Sequence, residues 1–459
     1  MSQFRLARIS LLLAAIGLNL APALLTSAHA QDKNKKDAPA AAEAAKVETI
    51  RPEMFKVLDA NQFRELMAQK KYADVADRLK QADTFPAHTP YEDYIIDRMR
   101  LALASATGDD ATAMPTLERV IATGRMPAAD QLNFIQVLAN YYYNAKNYAK
   151  TVEWLKRYVK DGGSPLKVRN TVIRAYYLMG DYTNAKVELQ AVIDADAAIA
   201  KTSSLEDLRL LASSAAKLKD MTTYTATMEK MVAAYPSDDY WVDLLNRMQS
   251  KPTYSQTHAI DVLRLQWQAT GTLTAEDFTD LAELDLAGGF YTEAKKALDA
   301  GFAANLLGTG NNGPKHKKLR DQANKGAADD QKNIASGEAS AQKSKDGTGL
   351  VNLGYAYATM GQFYKAIDLM QQGIAKGGLK KPEEAKLHLG IVFAKGDRKE
   401  DALKTFQSVK GDDGTSDLAR YWILWVNRPA PAAATAAADA APAAAAAATS
   451  APAAAPVKK

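Results

Sequence analysis

The feature that most constrains this chain is a pattern that returns about every 36 residues: Leu350, Leu353, Gly354, Tyr357, Ala366 and Met370 are followed by Leu389, Gly390, Phe393, Ala402 and Phe406. Large apolar residues recur at three- and four-residue spacing, the period of one helix face. A unit this short cannot bury that face alone, so neighbouring units must stack to form a core. The outer faces of such a stack remain available for contact.

Turn chemistry repeats with the same pitch. Gly108-Asp109, Gly180-Asp181 and Gly396-Asp397 each place glycine where a left-handed residue ends one helix and aspartate where the next begins. Aligned on the position that follows this turn stand Tyr72, Asp110, Tyr148, Tyr182, Met221, Tyr291, Phe363 and Lys399, with a weaker unit near Gln256. Pro86, Pro127, Pro165, Pro236 and Pro382 fall near the close of a unit, where proline stops a helix. In the unit around Tyr182, the residues Tyr176, Ala185, Leu189 and Val192 are expected to fill the space between two helices, with small Ala185 permitting close approach. Ala366 and Ala402 hold the same position in later units, while Val75 and Thr151 depart from it.

The spacing L-x-x-L-G-x-x-Y followed by A-x-x-x-F resembles the tetratricopeptide repeat (TPR), a helix-turn-helix unit. The resemblance implies an all-α, right-handed α-solenoid of TPR-like helix hairpins, covering residues 51–313 and 347–428. A last helix over about 416–426, carrying Leu418, Tyr421, Trp422 and Trp425 at i, i+3, i+4 and i+7, is expected to cap the open end of the stack.

The ends of the chain differ in composition. Residues 1–30 read as a cleavable signal peptide, with Arg5 and Arg8 ahead of the apolar stretch Leu11 to Leu25 and Ala28-His29-Ala30 at the cleavage site. Residues 31–50 read as a disordered tether and 429–459 as an Ala/Pro-rich disordered tail, because neither holds enough large apolar residues to offset the entropy of ordering. After cleavage no transmembrane segment is expected, and the predicted location is periplasmic. Cleavage removes two cations and no acid, taking the formal net charge from +5 to +3, too balanced for a nucleic-acid binder. The absence of cysteine excludes disulfides, thiolate metal sites and thiol catalysis.

In tetratricopeptide arrays the first helix of each unit lines a groove, and that resemblance nominates Asn133, Gln136, Asn140, Tyr143 and Asn144, then Lys167, Asn170, Arg174 and Tyr177, then Arg209, Ser213 and Lys217, with Glu206 beside them. Amides can bond a peptide backbone, cations can hold a carboxylate, and tyrosines can cover apolar side chains. Asn140, Lys167 and Arg174 resemble the carboxylate clamp of peptide-binding members, although Gln136 stands where they have lysine. Later units offer an acidic segment, Glu276, Thr279 and Glu283, and a neutral one, Asn352, Tyr355 and Thr359.

Residues 314–346 are polar and basic, and over 314–345 eight Lys and Arg stand against four acids. They are either a degenerate repeat or a mobile insertion making weak contact with an anionic surface. Gly308-Thr309-Gly310-Asn311-Asn312-Gly313 spells G-x-G-x-x-G but follows a predicted helix, so it reads as a loop. His88, His258, His316 and His388 lack metal-site spacing, and His388 is expected at the surface. No catalytic constellation, cofactor or metal is nominated.

The expected function is therefore a non-catalytic periplasmic scaffold binding a protein or peptide of the cell envelope. The alternatives are an accessory of a TonB-type outer-membrane transport system and a helical-toroid envelope glycosidase, which would need two opposed acids. N-terminal sequencing of the exported protein should begin at Gln31; a chain still starting at Met1 would refute the cleavage reading.

Overall fold

The computed structural model describes residues 48–428; the signal peptide, nearly all of the tether and the whole 429–459 tail lie outside them. Two compact units, Met1–Glu188 and Leu189–Lys459, divide the chain. The described residues are helical hairpins joined by tight turns, with one short 3-10 turn at Gln256–His258.

The first unit opens with the short helix α1 (Pro52–Val57). The pairs α2 (Ala60–Ala68) with α3 (Tyr72–Asp83), α4 (Pro90–Thr107) with α5 (Asp110–Ala122) and α6 (Ala128–Asn144) with α7 (Tyr148–Lys160) follow, then α8 (Pro165–Leu178). α9 (Tyr182–Ala198) runs across the division between units. Each second helix also packs on the first helix of the next pair, as α3 does on α4, α5 on α6 and α7 on α8. This is the tetratricopeptide-like stacking implied by the sequence pattern.

The second unit pairs α10 (Leu205–Lys217) with α11 (Met221–Ala234), α12 (Asp238–Gln249) with α13 (Ala259–Thr270) and α14 (Ala275–Gly288) with α15 (Tyr291–Ala303). The basic stretch forms α16 (Gly313–Asn333) and α17 (Ser336–Lys343). Then come α18 (Thr348–Thr359) with α19 (Phe363–Lys376), α20 (Pro382–Lys395) with α21 (Lys399–Gln407), and finally α22 (Thr415–Val426). Leu319 and Ala323 of α16 join the core of the α14–α15 hairpin, while Lys315 and Arg320 pair with Glu283 and Asp299. The polar helix is thus anchored by a narrow apolar stripe and by ion pairs on its flanks.

All eight aligned positions, Tyr72 to Lys399, are the first residues of second helices. Two residues earlier, Lys70, Gly108, Lys146, Gly180, Lys219, Gly289, Gly361 and Asp397 all have φ between 57° and 83°. The turn geometry repeats even where glycine does not. At the third expected glycine turn the reading needs correction: Gly396 keeps a right-handed φ of −95°, and Asp397 carries the left-handed φ of 59°. Gly396 instead fits a tight space, since a Cβ would lie 3.0 Å from the Phe363 Cβ and 3.2 Å from the Val392 carbonyl oxygen.

The signature glycines mark close helix approach. A Cβ on Gly354 would sit 2.6 Å from Met370 Cγ and 2.8 Å from the Ala366 carbonyl oxygen, and one on Gly390 would sit 2.5 Å from Phe406. Opposite them Ala366 and Ala402 are fully buried. Val75 and Thr151 occupy the equivalent site without exposure, Thr151 by returning its hydroxyl to the Asn147 carbonyl oxygen. In α9 the core residue after Leu189 is Ile193 rather than the expected Val192, because the buried stripe advances by four residues there.

α22 does more than cap. Leu418, Tyr421 and Trp422 are fully buried, and Trp422 stacks on Phe406 with ring centroids 6.3 Å apart. The helix also packs against α11 and α13, at the beginning of the same unit. Lys251 meets Asp417 at 2.6 Å, Arg420 meets Glu229 at 2.8 Å, and Trp425 Nε1 donates to the Gln268 carbonyl at 2.9 Å. Buried His258 bonds the Thr415 hydroxyl at 3.0 Å, and Ser255 N–H donates to the Asp413 carbonyl at 2.9 Å. The second unit is thereby closed by its own last helix.

A turn series separates backbone strain from packing. Lys146→Gly should stabilise the protein by roughly 0.5–1 kcal/mol by relieving the left-handed strain, and Gly108→Ala, with open space around its Cβ, should cost about 1 kcal/mol. Gly354→Ala should cost more, about 1–3 kcal/mol, because the helices must part. Urea denaturation midpoints measure all three, and equal losses for the two alanine variants would refute the distinction.

Candidate functional site

The structure offers two places of functional interest, one in each unit. In the first unit, Asn133, Asn140 and Asn144 of α6 and Lys167, Asn170 and Arg174 of α8 are exposed, while Gln136, Tyr143 and Tyr177 are half-buried. Their rings are held in place by the second helices: Tyr143 packs edge-on against Tyr148 at 5.5 Å, and Tyr177 against Tyr182 at 5.4 Å. Burial raises the Tyr143 phenol above its ordinary value, opposed by the nearby Arg174 guanidinium, so these two nominated residues share one neighbourhood. The result is a polar surface with fixed aromatic walls.

Arg209, Ser213 and Lys217 belong to the second unit, on α10, where Arg209 and Lys217 are exposed and Ser213 is half-buried. Arg209 donates to the Tyr240 hydroxyl at 2.9 Å. Glu276 and Glu283 are exposed, and Glu283 pairs with Lys315 at 2.8 Å. Two expected groove residues are buried instead. Thr279 turns its hydroxyl to the Ala275 carbonyl oxygen of its own helix, and Tyr355 is enclosed between Phe290 and His388.

The second place is a cluster of buried charge. Arg264 on α13 is 4% exposed, and its guanidinium bonds Glu293 through Nε at 3.0 Å and through one terminal nitrogen at 2.7 Å. That nitrogen also reaches Asp285 at 3.0 Å, and the other reaches Asp261 at 3.0 Å. The plane lies over the rings of Tyr355 and Phe290, 4.7 and 5.2 Å from their centroids. His388 Nε2 stands 3.0 Å from both Asp261 oxygens.

Three carboxylates around one guanidinium would leave buried negative charge, and the titration of Asp285 resolves it. Burial first, and then the charge of Glu293, push the Asp285 carboxyl up to about 9, against the pull of Arg264. Protonated, Asp285 becomes a donor, and its otherwise unpartnered Oδ2 can give that proton to Glu293. Glu293 is held low: burial opposes ionisation, but Arg264 and Lys395 outweigh it. Asp261 is likewise held well below the usual carboxylate range by His388 and Arg264 despite complete burial.

Beside this cluster lies a cavity of about 410 Å³, lined by Arg264, Trp267, Gln268, Glu293, Lys296, Thr359, Phe363 and Lys395 among others. Lys296 donates to the Thr359 carbonyl oxygen at 2.6 Å. Lys395, the last residue of α20, is half-buried; desolvation lowers its ammonium, Glu293 opposes that, and Arg264 and Lys296 add to it.

His388 therefore corrects the expectation of a surface histidine: it is largely enclosed because it bonds buried Asp261. Sequence inspection missed the cluster, although it left one trace. Phe278, Leu281, Ala282 and Asp285 occupy i, i+3, i+4 and i+7, so an acid sits in the core stripe of α14. Its partners on other helices leave no comparable local mark.

Arg264→Met should destabilise the protein by about 3–5 kcal/mol, since it strands buried carboxylates. Asp285→Asn should cost little, because the amide imitates the protonated acid. The native state retains a proton on Asp285 from near pH 4, where an unfolded carboxyl loses it, to about 9, so this group makes stability fall as pH rises through that window. Urea melts from pH 5 to 9 should show a flatter profile for Asp285→Asn than for the natural protein, and parallel profiles would refute the assignment.

No family model matches the chain, and no curated protein matches it. Among solved structures, similar chains are the TPR2AB domain of yeast Sti1 in its pHSP90 complex (TM-score 0.22, 13% identity, covering 65% of this chain and 99% of that one) and yeast Tom70 (0.21, 11%, 84% and 96%). The TPR domain of P58(IPK) gives a TM-score of 0.20 at 12% identity, with 81% and 98% covered. At such scores the hairpins themselves, rather than these superpositions, establish the fold.

Proposed function

We propose that this protein is a non-catalytic periplasmic scaffold that holds an extended segment of an envelope protein on its first helices. The observation that carries the reading is the surface of α6 and α8, where Asn133, Gln136, Asn140, Asn144, Lys167, Asn170 and Arg174 stay accessible beside the anchored rings of Tyr143 and Tyr177. Amides bond a peptide backbone, fixed tyrosines cover its side chains with little loss of rotamer entropy, and the cations favour an acidic or C-terminal group. Within the second unit, taken by itself, α10 carries Arg209, Ser213 and Lys217, residues of a similar chemical kind. The export-type N-terminus supports the location.

The carboxyl pair Asp285 and Glu293 favours this reading over a glycosidase. Both groups are buried and committed to one terminal nitrogen of Arg264, at 3.0 and 2.7 Å, whereas the acids of a glycosidase face a sugar between them, about 5 Å or more apart. The proton that Asp285 retains serves charge neutralisation around Arg264.

A photo-crosslinking side chain at Asn140, activated in living cells, should yield one discrete protein adduct in the periplasm. The paired change Lys167→Ala and Arg174→Ala should weaken the captured partner by about 1–3 kcal/mol for each lost charged contact, read by calorimetry. Recovery of glycan strands alone, or an adduct indifferent to both substitutions, would overturn the proposal.

A further inference from the structure

Among the described residues of the Arg264 cluster, each buried charged group has a partner, and half-buried Lys395 beside it does not. Arg264 has three carboxyl partners, Asp261 has His388, and burial beside Glu293 keeps Asp285 protonated. Among the described residues the Lys395 ammonium makes no ion pair or hydrogen bond, only a longer-range attraction to Glu293, although its side chain lines the same cavity as Lys296 and Arg264. The three cations of the cavity region face ionised Asp261 and Glu293, leaving an excess of one positive charge before any proton on His388 is counted. The rest of the lining is apolar or weakly polar, with the Trp267 indole and Phe363 as its walls and Gln268 and Thr359 as neutral hydrogen-bonding groups.

We infer that this cavity binds a small carboxylate carrying an apolar or aromatic group, with the carboxylate on Lys395 and Lys296 and the apolar group against Trp267 and Phe363. One excess positive charge suits a monoanion better than a phosphate dianion, which would meet the negative charge of Glu293. Two ammonium groups give a carboxylate charge-assisted hydrogen bonds from separate directions. A volume of about 410 Å³ falls in the range of small-molecule sites and admits a group of two or three residues' size. Arg264 keeps its own partners throughout and acts as the wall that fixes Glu293. Two sources share this chemistry, a free organic acid and the carboxyl end of a peptide. The inference concerns the second unit alone and does not depend on the α6–α8 surface, so failure of the crosslinking experiment would leave it standing.

The test uses calorimetry on the mature protein with N-acetylphenylalanine, its primary amide, and a phenylalanine-ended tripeptide with free or amidated C-terminus. Both acids, or the small acid alone, should bind, and each amide should bind about tenfold or more weaker, the factor expected for losing one charged hydrogen bond. Binding of the small acid without the tripeptide identifies a free organic acid, and binding of both admits a peptide end. Lys395→Met should lose about tenfold or more in affinity for the acid, while Lys395→Arg, which keeps the charge, should retain most of it. Circular dichroism melts check that the variants fold; should Lys395→Met fail to fold, the acid-against-amide comparison on the natural protein decides. Equal affinity for acid and amide, absence of binding by both acids at high millimolar concentration, or unchanged affinity in a folded Lys395→Met variant would each overturn the inference.

Discussion

The second unit depends on a single guanidinium placed where water does not reach. Arg264 sits on α13, its carboxyl partners come from α13, α14 and α15, one aromatic cover comes from α18, and the histidine that completes the network comes from α20. Apolar helix faces alone tolerate sliding, because one aliphatic contact substitutes for another at modest cost. A buried cation does not. Slippage of one hairpin by a helical turn would leave Arg264 or an acid without its partner, a loss of several kcal/mol against the marginal stability of a folded domain. The cluster thus selects one register among hairpins that their repeated sequences would otherwise render interchangeable.

Closure by α22 answers a different difficulty. A stack of repeats ends in an apolar face that no further unit covers. Here the last helix uses both of its sides: Trp422 lies against Phe406 of the preceding hairpin, and Asp417, Arg420 and Trp425 reach Lys251, Glu229 and the Gln268 backbone. Contacts this distant in sequence impose a loop-closure cost that rises only slowly with length, and buried aromatic area offsets it. Helices at the beginning and end of the unit are consequently held in one arrangement, which keeps the walls of the central cavity in place.

The fold was legible in the sequence to the residue at the starts of second helices, because a periodic apolar stripe and a tight turn are both local signals. The same logic explains where reading by residue type erred. A left-handed turn is a backbone state that Lys70, Lys146, Lys219 and Asp397 adopt as well as glycine, so a search for glycine finds only some of the turns. Gly396 was conspicuous for another reason, the proximity of Phe363. Tyr355 and Thr279 were assigned to a groove by position within the repeat, yet position does not reveal what the neighbouring unit places over them. The charge cluster is the extreme case, since each member is an ordinary ionisable residue until five helices bring them together; only Asp285, inside an apolar stripe, was visible in one dimension.

That contrast also separates structural from functional charge. In a sequence under selection for folding, local preference, packing and electrostatics agree, and a residue that breaks the agreement marks a place where something else is required. Asp285 satisfies this test as a structural residue, because its proton and its neighbours complete the network internally. Lys395 does not. Its half-buried side chain stands at a helix end near two further cations and is balanced only in part by a carboxylate already committed to Arg264. Folding alone would favour a neutral side chain at that position. Retaining a cation there is consistent with a counter-charge that arrives from outside, and the indole and phenyl walls define which kind of anion gains by entering.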